Sequence, residues 1–175
     1  QGRNVTVNAK SVNNGNGTIV ASDNTSINGE YVNNEGESLI AGQNVKISGF
    51  LNNQQGTVIA SNNLNIGRNS SYYTVNSLNN NLGKIIAGQD LNIVVDRITN
   101  DRGQLLSGRD MSVEVGSNYT HNLGDRLSAG RDINLKVGFG DASPPSFVNN
   151  GNLYAPRNIS IITRTLYNNG TINAD

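Results

Sequence analysis

Four stretches of the chain can be laid over one another with their apolar positions in register: VNNEGESLIAGQNVKIS (32–48), LNNQQGTVIASNNLNI (51–66), LNNNLGKIIAGQDLNIVV (78–95) and ITNDRGQLLSGRDMSVEV (98–115). Weaker copies occupy 12–27, 122–137, 147–162 and 166–174. The shared pattern is apolar-x-Asn, a short gap, then Gly-x-apolar-x-Ala-Gly-x-Asn/Asp-apolar-x-apolar. A small residue follows the first apolar pair at Ala21, Ala41, Ala60, Ala87, Ser107, Ala129, Ala155 and Ala174, with spacings of 20, 19, 27, 20, 22, 26 and 19. A unit of this size cannot bury its own apolar face and must stack on copies of itself.

Within each unit the apolar residues recur at every second position, as at Val45 and Ile47, Leu64 and Ile66, Leu91 and Ile93, and Met111 and Val113. That is the period of a strand. The intervening residues turn the chain: 32 Asn and 20 Gly, both tolerant of positive φ and poor in helices. The expectation is an all-β, right-handed parallel β-helix of about eight coils of about 20 residues, its hand following the usual preference of parallel crossovers. At an interstrand spacing of about 4.8 Å the rod would be roughly 40 Å long. Residues 1–175 read as a single β-helix segment with insertions at 67–77 and 138–146, the second carrying Pro144 and Pro145, which a central strand would exclude. The chain opens in mid-unit and stops just after Ala174, so it is expected to be a piece of a longer rod.

The columns sort into inside and outside. The position two before the small residue is Ile19, Leu39, Val58, Ile85, Leu105, Leu127, Leu153 and Ile172, always aliphatic and so expected inside together with the small column. The residue between them varies and is expected outside: Val20, Ile40, Ile59, Ile86 and Leu106, then Ser128, Tyr154 and Asn173. Five outward aliphatics on successive rungs would form an apolar stripe. This stripe is the candidate contact surface, either covered by the first insertion with Tyr72 and Tyr73 or free to bind a sister rod or another domain.

Little in the chain points to chemistry. Lys plus Arg equals Asp plus Glu, which gives no long-range attraction to nucleic acid or an anionic membrane. Cys is absent, and no apolar run approaches the length of a membrane span. His121, the single histidine, falls where the sixth unit loses its apolar-Asn signal, and is expected in a loop or at a coil edge. Asp90, Asp110 and Asp132 share a column with Asn44, Asn63 and Asn158. A calcium site is conceivable there, but Asp–Asn interchange suits a turn residue, and Arg109 and Arg131 stand beside the acids to neutralise them. Gly138-Phe139-Gly140 lacks the Lys-Ser/Thr and the strand-to-helix setting of a phosphate loop. Seven Asn-x-Ser/Thr sites (Asn4, Asn16, Asn24, Asn69, Asn118, Asn158 and Asn169) are no more than so Asn-rich a chain produces by chance. No catalytic residue, cofactor or metal ligand is expected.

The units LNNNLGKIIAGQDLNI and ITNDRGQLLSGRDMSV are similar to the repeats of filamentous haemagglutinin-type exoproteins, which include two-partner-secreted adhesins and the toxin-delivery proteins of contact-dependent growth inhibition. The likeness covers nearly the whole chain outside the insertions. The Asn-Pro-Asn-Leu type of secretion motif is absent, and Val32-Asn33-Asn34-Glu35 has the composition but not the order of the Val-Glu-Asn-Asn sequence that precedes toxin modules. The resemblance therefore implies a non-catalytic structural or adhesive shaft on the surface of, or secreted from, a Gram-negative bacterium. It also implies an outer-membrane two-partner-secretion transporter as export partner, and a host or target-cell receptor or glycan as a possible ligand. The alternative is a fragment of a β-helical polysaccharide-acting enzyme or phage tailspike, which would need a cleft lined by paired carboxylates.

Overall fold

A computed structural model describes residues 2–67, 76–138 and 145–175. The alternating runs form short strands, three to a coil, separated by the Asn- and Gly-rich turns. One face holds residues 18–21, then Leu39–Gly42, Thr57–Ala60, Lys84–Ala87, Gln104–Ser107, Arg126–Ala129, Asn152–Ala155 and Thr171–Ala174. A second runs from Gly2–Asn8 through 24–28, 44–48, Leu64–Gly67, Leu91–Val95, Asp110–Val115 and Asp132–Val137 to Asn158–Ile162. The third runs from Ser11–Asn13 through 31–33, 50–52, Ser77–Asn79, Arg97–Thr99, Tyr119–His121 and Ser146–Asn149 to Thr165–Asn168. Strands pair in parallel with their equivalents one coil away, for example Leu64 with Leu91 and Leu91 with Met111, except between Arg97–Thr99 and Tyr119–His121. The result is a parallel β-solenoid of about eight turns, with its coils about 20 residues apart. Among the described residues no helix is long and apolar enough to cross a membrane.

The core is a set of aliphatic columns. Ile40, Val58, Ile85, Leu105, Leu127 and Leu153 stack inside the first face, and Leu64, Leu91, Met111 and Ile133 inside the second, each at most 1% exposed. Each such side chain contributes about 1.5–3 kcal/mol relative to exposure. The small column lies inside as expected, with Ala60, Ala87, Ser107 and Ala129 all buried and in register.

One coil departs from the sequence expectation. Ile40 pairs with Ile19 and Val58 and is fully buried, so it belongs to the core and not to the outer stripe. Leu39, expected inside, aligns with Thr18 and Thr57 on the outer side, and Ala41 takes the outer position between Val20 and Ile59. Gly42, not Ala41, fills the small column beside Ala60. The cause is a turn one residue longer: Ser38 holds the place that Gly56 holds one coil on, since Thr57 N–H donates to Ser38 O as Lys84 N–H donates to Gly56 O. One fewer residue on the way to the second face restores the register: two residues separate Gly42 from Val45, whereas three separate their partners Ala60 and Leu64.

Two asparagine ladders lock the coils at the end of the third face. Each Asn-Asn pair supplies one side chain to each ladder. The inner ladder donates forward, Asn14 Nδ2 to Asn34 Oδ1 (2.8 Å), Asn34 to Asn53 (2.8 Å), Asn53 to Asn80 (2.7 Å) and Asn80 to Asn100 (2.7 Å). The outer ladder donates backward, Asn33 to Asn13 (3.0 Å), Asn52 to Asn33 (2.9 Å) and Asn79 to Asn52 (2.9 Å). The inner amides are buried and those from Asn14 to Asn80 also reach the backbone of the next turn, so the amides of this ladder are satisfied without water. The turn glycine follows from this crowding: a Cβ on Gly103 would collide with the Asn80 carbonyl and the Asn100 amide oxygen.

Both insertions interrupt the same corner, between the second and third faces. One leaves after Gly67 and returns at Ser77, and the other leaves after Val137 and returns at Ser146. Residues 68–75 and 139–144, and with them Tyr72 and Tyr73, lie outside the described residues.

Candidate functional site

The acidic column is built as a staircase of ion pairs. Asp110 pairs with Asp132 and Asp132 with Asn158 across adjacent strands. Each acid accepts both guanidinium nitrogens of the arginine one coil on. Arg109 Nε meets Asp90 Oδ1 at 2.7 Å, Arg131 Nε meets Asp110 Oδ1 at 2.7 Å and Arg157 Nε meets Asp132 Oδ1 at 2.8 Å, with the Nη2–Oδ2 contact completing each fork. Arg109 and Arg131 lie within ion-pair distance of the acids that follow them, Asp110 (4.0 Å) and Asp132 (3.9 Å), as expected, but their forked bonds reach back to the preceding coil, and Arg157 extends the series. The Arg157 fork holds the Asp132 carboxyl down at about 2, and Arg109 likewise lowers that of Asp90. The amide members of the column bond across coils too, Asn24 Nδ2 to Asn4 Oδ1 at 2.8 Å and Asn44 to Asn24 at 3.0 Å. Carboxylates already engaged in this way are poor calcium ligands and poor general acids. A depression on the second face, lined by Lys46, Ser48, Asn65, Gly67, Asn92 and Val94, has no carboxylate among its described residues.

The outer column now reads Val20, Ala41, Ile59, Ile86, Leu106, Ser128 and Tyr154. Val20, Ile86 and Leu106 are half-buried, while Ile59 is 37% and Tyr154 40% exposed. Replacing Ile40 by Ala41 in this series narrows the apolar stripe in its second rung.

His121 is the position that sequence reasoning placed least well. Expected in a loop or at a coil edge, it is fully buried at the end of Tyr119–His121, in the inner asparagine column, paired with Asn149 of the next coil. Its Nε2 lies 3.2 Å from Asn152 O, the carbonyl matching those that Asn80 and Asn53 reach at Gln104 and Lys84, so Nε2 carries the proton. Nδ1 is buried without a hydrogen-bond partner, 3.8 Å from Asp125 Oδ2. Asp125 occupies the place of the turn glycine: Arg126 N–H donates to Gly103 O one coil back, as Gln104 N–H donates to Gly83 O. Its carboxylate accepts Arg102 N–H at 2.8 Å and Asn122 N–H at 2.7 Å. Burial pushes the Asp125 carboxyl up and the His121 imidazolium down. The signal for this arrangement was Tyr119-Thr120-His121, which keeps the apolar-x-polar spacing of Ile98-Thr99-Asn100 with the amide replaced by imidazole.

Comparison with known proteins agrees with the architecture. The family model described as the haemagglutinin repeat matches residues 2–66, 51–74, 61–138 and 113–175. No curated protein and no solved structure matches the chain. Its matches run the length of the solenoid and take in coils on both sides of each insertion, so the chain belongs to the haemagglutinin repeat family.

Proposed function

We propose that this chain is a non-catalytic shaft: a rigid spacer in a surface-exposed or secreted exoprotein, holding a recognition or effector module away from the cell. The observation that carries the reading is the unbroken column of Asn–Asn and aliphatic contacts from Asn14 to Asn100, whose repetition serves length and stiffness and gathers no reactive groups. Haemagglutinin repeats are typical of secreted or surface proteins and are typically structural or adhesive, which supports this placement. An outer-membrane two-partner-secretion transporter would export the full-length protein, and a host or target-cell receptor or glycan would be its ligand. The polysaccharide-enzyme alternative loses its best candidate in the Asp90–Asp110–Asp132 column, because each of those acids is committed to an arginine. Removing whole coils in register from the parent exoprotein tests the reading. Export should persist, and function should decline with lost length wherever the coils are removed. Loss of binding on removal of one particular coil, with export and length compensated by a duplicated coil elsewhere, would assign that coil a recognition role instead.

The outer stripe of Val20, Ile59, Ile86 and Leu106 supports a lateral contact with another part of the parent protein. Changing Ile59, Ile86 and Leu106 together to Thr keeps strand propensity. Lost association at unchanged thermal stability is the expected result, and lost stability of the isolated chain would show instead that the stripe is covered from within.

A further inference from the structure

Four features of the rod change at the same rung. The third face is not one sheet: Tyr119–His121, Ser146–Asn149 and Thr165–Asn168 form a separate three-stranded sheet, while Arg97–Thr99 belongs to the large sheet above. The inner ladder is interrupted there as well. It runs from Asn14 to Asn100 and resumes as Asn149 Nδ2 to Asn168 Oδ1 at 2.8 Å, with His121 in between joined to neither amide. In the coils above, the corresponding turn N–H donates to a backbone carbonyl, Gln55 N–H to Asn81 O and Leu82 N–H to Asp101 O. At this rung a carboxylate stands in, and Asp125 takes the N–H of Arg102. The core column widens in the same place from Leu78 and Ile98 to the stacked rings of Tyr119 and Phe147, 5.5 Å apart. The Tyr119 hydroxyl is buried and unpartnered.

We propose that the His121–Asp125 rung is an acid-sensitive joint, at which the third-face corner between the coils above and below opens when the imidazole takes up a proton, while strand pairing on the other two faces holds the rod together. A second N–H at Nδ1 has one acceptor in view, Asp125 Oδ2 at 3.8 Å, with both side chains fully enclosed. If the carboxylate moves to meet it, it leaves the N–H groups of Arg102 and Asn122 that tie the two turns together. If it stays, a buried N–H is left unsatisfied. Either outcome disfavours the closed joint relative to one in which His121 is solvated.

The surrounding charges do not reverse the sign. From its own strand the imidazole faces the neutral Tyr119 phenol, whose ionisation burial and Asp125 both oppose. The preceding turn brings Asp101, which raises the Asp125 carboxyl further, and Arg102, whose guanidinium lies 3.5 Å from Asp101. The following coil presents Asn149, Asn150 and Asn152, none of them titratable. Because burial lowers the His121 value in the closed joint, opening is favoured as pH falls below the ordinary imidazole value of about 6.5. Asp125, raised in the closed joint, acts in the opposite sense and only once pH falls through its own raised value. The chain has one histidine, so the window just below about 6.5 reports on this rung.

Amide hydrogen exchange of the 175-residue chain, corrected for intrinsic rates and followed from pH 7.5 to about 5.5, tests the joint. Protection of segments 97–104 and 119–126 should fall relative to 39–66, by up to about tenfold per pH unit below about 6.5. His121→Asn, which restores the residue of the other coils, should abolish the fall, as should the second non-titrating variant His121→Gln. Level protection in the native chain, or an undiminished fall in a folded variant of either kind, would overturn the proposal. So would an imidazole that titrates at about 6.5 in the folded protein by NMR.

Discussion

Asn53 Nδ2 donates to Asn80 Oδ1 at 2.7 Å although 27 residues and the first insertion separate them in sequence. The same amide also meets Gly56 O and Lys84 O, both at 3.2 Å. Register across an enlarged coil is therefore kept by a buried side chain as well as by strand pairing. Asn80→Ala should remove both of its ladder bonds and leave the buried Asn100 Oδ1 without its donor, costing about 2–4 kcal/mol. Asn79→Ala, in the half-exposed outer ladder, should cost under about 1 kcal/mol, because water replaces the lost partners. Urea unfolding of the two variants measures the difference.

The small column yields a pair of opposite effects. Ala87 is 2% exposed, and Ala87→Leu should strain the core by about 1–3 kcal/mol or more. Ser107, one rung on, buries a hydroxyl without a partner between Ala87 and Ala129. Ser107→Ala should leave stability unchanged or raise it by about 1 kcal/mol. Thermal melts of both variants check the signs.

The ion-pair staircase carries a pH dependence in the acid range. The Asp132 carboxyl is lowered to about 2 by Arg157, so its contribution is present above the ordinary carboxylate value and is lost as pH falls through about 2. Asp132→Asn should flatten the stability profile between pH about 4 and 2, and added salt should shrink the difference between the variant and the parent. Melting temperatures across that range provide the check.

Shortening the first insertion tests whether the corner tolerates length change. In the coil below, Val95 and Asp96 alone link Val94 to Arg97, the partners of Gly67 and Ser77. Asn76 matches Asp96: Asp96 N–H donates to Asn76 O, and Asn76 N–H donates to the Asp96 carboxylate. Replacing residues 68–75 by a single Val should therefore leave a folded rod by circular dichroism and melting. Lost folding would show that the insertion contributes core, and lost binding to cells or glycans with the fold kept would mark it as a recognition loop.

The period, the strand alternation and the small column were legible because repetition states the same physical requirement eight times. The second coil was misread because its two length changes cancel. The residue gained at Ser38 is removed again after Gly42, so the spacing from Ala21 looks regular while Leu39 and Ile40 exchange sides. His121 was missed for a different reason. A polar residue in a turn-rich stretch suggests solvent, and only the stacked neighbours Asn100 and Asn149 reveal that this column accepts buried polar groups. The backward reach of Arg109, Arg131 and Arg157 depends on the lateral offset between coils, which no single repeat encodes.

Coils of this rod add length independently and in register. Thr18 and Thr171 stand at the two ends of the column of first residues on the first face, linked by pairings through Leu39, Thr57, Lys84, Gln104, Arg126 and Asn152. Spin labels at these two positions should be separated by seven rungs, about 34 Å at about 4.8 Å each, before allowance for the label arms. Deleting residues 84–103 removes one complete coil between matching turn glycines, Gly83 and Gly103. The account predicts one narrow distance distribution that shortens by about 5 Å on the deletion, with the protein still folded. An unchanged separation, or a broad distribution in either protein, would contradict it.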